Sequence, residues 1–101
     1  MSKKKESQYY IVRCRGAGVF MAQIVSRKGT EAKLKDSRRL WYWAGAASLS
    51  QLAVDGTCKP SECKFPVPMP EQEVTGILEV ITLTDKARGS LAAVPVWQQK
   101  I

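Results

Sequence analysis

Between residues 9 and 35 the chain repeats one device three times, a run of β-branched, aromatic and aliphatic residues followed by a turn. Such runs favour extended backbone, and side chains on a strand alternate between its two faces. In residues 9–15, Tyr10, Val12 and Cys14 fall on one face and Arg13 and Arg15 on the other. Gly16-Ala17-Gly18 supplies a turn into the more apolar residues 19–25, and Gly29, able to take positive φ, closes a hairpin onto residues 30–35. There Ala32 and Leu34 oppose Glu31, Lys33 and Lys35, the pattern of an antiparallel sheet with one face in water.

Asp36-Ser37 reads as the next turn, followed by a fourth strand over residues 38–43. In that strand Arg39, Trp41 and Trp43 would share one face, with Leu40 and Tyr42 on the other. Ala44-Gly45 breaks it, and residues 46–54 have the spacing of a helix with one apolar side, stopped by Asp55-Gly56. Residues 57–72 form the longest loop, where alternating Pro66, Pro68 and Pro70 favour an extended path that cannot enter the centre of a sheet. Residues 74–83 return to strand, and Thr84 can cap a short helix running to Leu91. The predicted fold is α+β. It is a small, largely antiparallel sheet of four to five strands with one short central helix and a short helix near the C-terminus. A minimal barrel-like sheet is the alternative, because the early glycines permit tight bending.

At 101 residues the chain suits a single core. The expected organisation is a flexible basic tail over residues 1–8, one domain over 9–97 and a frayed tail over 98–101. No apolar run approaches the roughly 18 residues of a spanning helix, and no apolar stretch of signal-peptide type follows the first lysines, so a cytosolic protein is expected. Three cysteines, an odd number, fit free thiols in a reducing compartment better than a disulfide framework. There is no histidine, so a four-ligand zinc site lacks donors and the usual general base near neutral pH is missing. Glu71 and Glu73 are the closest acidic pair, and they read more simply as solvated strand residues than as catalytic carboxylates. The expectation is a non-enzymatic protein without cofactor or metal.

Charge is placed unevenly. Residues 1–39 hold eleven of the sixteen Lys and Arg against three acids, a balance of +8, while residues 40–101 hold five against six, a balance of −1. A positive half concentrates polyanions, which makes nucleic acid or an acidic protein the natural partner class. The candidate contacts are Lys28, Lys33, Lys35, Arg38 and Arg39 for phosphates or carboxylates, with Trp41 or Trp43 for stacking.

The block at residues 38–56, followed by Pro60-Ser61-Glu62-Cys63-Lys64-Phe65-Pro66 and Val94-Pro95-Val96-Trp97, resembles a family of small uncharacterised proteins of tailed bacteriophages and prophages. The resemblance covers residues 9–97 and brings no activity or functional residues with it. It implies a phage-encoded accessory or structural protein acting in the host bacterial cytoplasm or in the virion, with Cys63 a packing thiol. Three readings therefore stand: a basic binding module, an assembly protein that is a homo-oligomer or virion component, and an inhibitor of a host enzyme or defence system. The second would use the aromatic segment and the proline-rich loop as its subunit contact.

Overall fold

The computed structural model describes residues 8–99. All but Gln8 of the basic tail expected over 1–8, and residues 100 and 101 of the C-terminal one, lie outside the described residues. The chain runs β1 (Tyr10–Cys14), β2 (Gly18–Lys28), β3 (Glu31–Arg39), α1 (Leu49–Asp55), a 3-10 turn (Pro60–Glu62), β4 (Met69–Val74), β5 (Ile77–Thr82) and α2 (Asp85–Ala92). The expected α+β architecture is present. A five-stranded sheet in the order β4-β3-β2-β1-β5, antiparallel throughout, carries both helices.

The order has a geometric consequence. β4 and β5 are the two edges of the sheet, yet only Thr75 and Gly76 join them. Three Cα-to-Cα steps reach at most about 11 Å, whereas four strand spacings in a flat sheet span roughly 19 Å. The sheet is therefore curled at this end. Gly76 takes φ 79° to make the corner, its carbonyl accepts from Arg15 N at 2.8 Å, and Ile77 N donates to Thr30 O at 3.0 Å. β4 and β5 do not pair, so the sheet is not closed into the barrel that the early glycines would have allowed.

Curling gives the sheet two apolar faces. Val12, Cys14, Phe20, Ala22, Ala32, Leu34, Val74 and Ile77 fill its inside. On the outside, Tyr9, Ile11 and Met21 pack under the helices with Leu52, Ala53, Phe65, Ala87, Leu91 and Val94. Both helices begin on hydroxyl caps, Ser48 accepting from Gln51 N and Thr84 from Ala87 N. Thr84 also ties the helices together, its N–H donating to Ala53 O and its hydroxyl to Val54 O.

The expected turn at Asp36-Ser37 is instead a β-bulge inside β3. The pairing steps from Gln23↔Lys35 to Met21↔Arg38, so Asp36 and Ser37 together face Ala22 alone, and Asp36 takes φ 51°. This extra residue reverses the alternation. Lys33 and Lys35 point to the outside of the sheet, and without the bulge Arg38 would point inside; with it, Arg38 lies beside Met21 on the helix-covered face. Three further differences follow from tertiary context. The fourth strand expected over 38–43 does not exist as such, because Arg38 and Arg39 complete β3. The expected loop over 57–72 yields β4, whose Pro70 is tolerated because β4 is an edge. The long strand expected over 74–83 is divided between β4 and β5 by the corner at Gly76.

Arg38 is only 5% exposed. Its Nε donates to Pro66 O, Nη1 to Leu91 O, and Nη2 to both Phe65 O and Val94 O, at 2.8 to 3.3 Å. The guanidinium also lies 5.4 Å from the Phe65 ring centroid. Among the described residues no carboxylate forms an ion pair with it. One side chain thus binds the proline-rich segment, the end of α2 and the C-terminal segment to β3. Burial pulls its pKa down, yet a guanidinium stays charged at neutral pH. Replacing Arg38 by Met should destabilise the protein by about 3–5 kcal/mol, because each of the four carbonyls loses a donor and only Phe65 O and Leu91 O keep another, from Trp97 N and Val94 N. Arg38→Lys should recover little of that, an ammonium having no planar fork. Urea unfolding of both variants measures this.

Candidate binding surface

Gly45 begins the construction of the exposed site. It takes φ 87°, and a Cβ there would stand 2.7 Å from Lys59 N and 2.8 Å from Cys58 N, so the loop after α1 closes directly over its backbone. Thr57 donates its hydroxyl to Ala44 O, and the buried Cys63 thiol lies 3.6 Å from the same oxygen. Anchored this way, the loop delivers Lys64 opposite Tyr42, with Tyr42 N donating to Lys64 O and Lys64 N to Tyr42 O. Phe65 then pairs with Val96 on its other side, and Trp97 N donates to Phe65 O at 3.0 Å. Phe65 goes into the core, and Lys64, its neighbour, goes to the surface.

The result is a small aromatic platform. Trp41 and Trp97 stack with centroids 5.0 Å apart and planes 19° from parallel, and they remain 58% and 46% exposed. The Lys64 ammonium lies 5.8 Å from the Trp41 ring, 5.6 Å from Trp97 and 6.0 Å from the half-exposed Tyr42. Each contact falls within cation–π range, and together they hold a cation against exposed rings. Large aromatics left in water as a group, rather than singly, mark contact surfaces in folded proteins.

The residues expected from sequence to form one docking face are dispersed. Trp41 is exposed, while Trp43 is half-buried and packs against the core, so the two do not share a wet face. Arg38 is interior. Arg39 lies over the buried Phe20 ring at 4.7 Å, and its Nε is buried without a hydrogen-bond partner among the described residues. Lys33 and Lys35 stand directly across from Glu73 and Glu71 of β4, and Lys28 across from Glu31. Directly opposed side chains share a face, so acids answer these cations. Arg13 and Glu79, a further cross-strand pair, form an ion pair at 2.7 Å. Lys64 and Trp97 were not among the expected residues. They meet Trp41 through pairings of 22 and 31 residues' separation, Tyr42 with Lys64 and Phe65 with Val96, that no local pattern announces.

A second concavity, a cleft of about 260 Å³, lies beside the bulge between Tyr9, Asp36, Pro68 and Arg88. Tyr9 donates its hydroxyl to Asp36, and the Arg88 guanidinium lies 4.3 Å from its ring centroid. Burial first, and the Asp36 carboxylate second, push the Tyr9 pKa up. The folded state therefore holds the phenolic proton more tightly than the unfolded chain does. The stability this contributes is fully present below about pH 10 and is lost as pH rises through the folded value. Urea midpoints measured across that range should fall less steeply for Tyr9→Phe than for the native chain.

The model of a domain of unknown function, DUF6948, matches residues 7–91. The chain belongs to the DUF6948 family. That match spans both helices' N-caps, the bulge and Trp41, and it ends before Trp97. No curated protein and no solved structure matches the chain. Among the described residues no group of three or more His, Cys, Asp or Glu could hold a metal ion, and no helix is long and apolar enough to cross a membrane. Burial raises the pKa of the Cys14 thiol, which disfavours the reactive thiolate. Because Trp41 and Trp97 pack mainly on each other, Trp41→Ala should cost no more than about 1.5 kcal/mol. Thermal unfolding followed by circular dichroism checks that the fold survives.

Proposed function

We propose that this DUF6948 protein is a non-enzymatic binding module that engages an anionic partner through Trp41, Tyr42, Lys64 and Trp97. The observation that carries the reading is the Lys64 ammonium held against an exposed indole pair. Such a group offers broad apolar faces together with one fixed positive charge, and the chain as a whole carries +7 to draw an anion toward it. The partner class remains the one charge suggested, nucleic acid or an acidic protein. Its point of contact moves from the β3 lysines to the platform. On the resemblance noted from sequence, the protein is a phage- or prophage-encoded accessory factor working in the host cytoplasm or in the virion.

Titrating oligonucleotide, heparin and polyglutamate at low ionic strength tests this. At least one should bind, and Lys64→Glu should weaken it on the order of tenfold, about 1.4 kcal/mol. A chain that binds none of the three overturns the reading.

The alternative, an assembly protein, is favoured by one observation: exposed Val96 and Tyr42 extend the indole pair into an apolar patch. In that case light scattering at micromolar concentration should give a multiple of the 11.2 kDa chain mass, reduced to the monomer by Trp97→Ala.

A further inference from the structure

We infer that the anionic partner is single-stranded nucleic acid, held chiefly by a base stacked on Trp41 with Lys64 at a phosphate. This deepens the binding-module reading and rests on it. Every nucleobase has a π-face, and an exposed indole accepts one whatever the sequence. Trp41 stacks on Trp97 and is still 58% exposed, so a base stacked on its exposed surface would continue a pile of near-parallel rings. Duplex bases have both faces occupied by their neighbours, and a platform of this kind selects strands whose bases are free.

The cations point the same way. Arg38 spends its donors on carbonyl oxygens, Arg39 lies on Phe20, and Lys28, Lys33 and Lys35 look across at glutamates that would repel a phosphate chain. The cation held against the rings is Lys64, enough for about one phosphate. Size argues against a protein in this role. A stable protein interface buries roughly 800 Å² on each partner, more than this cluster of four side chains presents, whereas one or two nucleotides would cover it.

The test is fluorescence anisotropy of a labelled oligothymidylate. The 101-residue chain is used with Lys3, Lys4, Lys5 and Lys100 changed to Ala, so that no Lys or Arg outside the described residues contributes. Each phosphate contact on a single strand adds about −0.7 to the slope of log affinity against log salt. The expected slope is between about −0.7 and −1.4, for one or two contacts. Trp41→Ala should weaken binding by roughly fivefold to a hundredfold, and the oligothymidylate paired with oligoadenylate should bind more weakly than the free strand. A slope of about −3 or steeper, the value for four or more phosphates, overturns the stacking mechanism. Equal or tighter binding of the duplex overturns the single-strand assignment. If polyglutamate binds in a Trp41-dependent way and the oligonucleotide does not, the partner is an acidic protein and this inference alone falls. If nothing anionic binds, it falls together with the reading beneath it.

Discussion

A guanidinium taken out of water without an ion pair is tolerable only when other acceptors, such as backbone oxygens, replace its hydration on several sides. Arg38 meets that condition by drawing Phe65, Pro66, Leu91 and Val94 to one point. Phe65, Pro66 and Val94 belong to segments with no strand or helix of their own to bind them to the sheet, and the C-terminal end of α2, through Leu91, gains a cation near its last carbonyls. The aromatic platform is downstream of this arrangement, since Phe65 is the residue that Trp97 pairs with and Lys64 precedes it. The one-residue bulge at Asp36 is what turns Arg38 toward the helices. A local irregularity in β3 therefore decides where a surface some residues away is assembled.

Part of the uneven charge along the chain is matched across neighbouring strands. β4 and β5, which carry Glu71, Glu73 and Glu79, lie against β3 and β1, which carry Lys35, Lys33 and Arg13. Exposed pairs of this kind contribute little to stability, on the order of 0–1 kcal/mol each. They do favour one register, because a slip by one residue would set each of these cations opposite an uncharged residue. The linear asymmetry thus marks which strands are to be neighbours.

What was legible in the sequence was whatever depends on local pattern. The alternation of Ala32 and Leu34 with lysines identified a one-sided strand, Thr84 announced its helix, and the spacing of prolines kept residues 66–70 out of the sheet centre. What was not legible depends on partners remote in sequence. Asp36-Ser37 carries the chemistry of a turn, and only the pairing with β2 makes it a bulge. Arg38 and Arg39 read as a cationic pair, but adjacent strand residues face opposite ways, so one is sealed under α2 and the other lies on Phe20. The tryptophans look alike in sequence. Trp41 is exposed beside Trp97 and Trp43 is half-buried against the core, partners that lie far away in sequence or on other elements.

The two-residue corner at Thr75-Gly76 has a bearing on how the protein is made. β1 takes β5 as its neighbour, so the strand made first waits for residues synthesised some seventy positions later. A meander of β1, β2 and β3 can form early, but its first strand keeps an open edge until β5 arrives. Pairings of such long range close slowly. On the ribosome this domain must be nearly complete before it can be native, and its nascent chain displays an unsatisfied edge in the meantime.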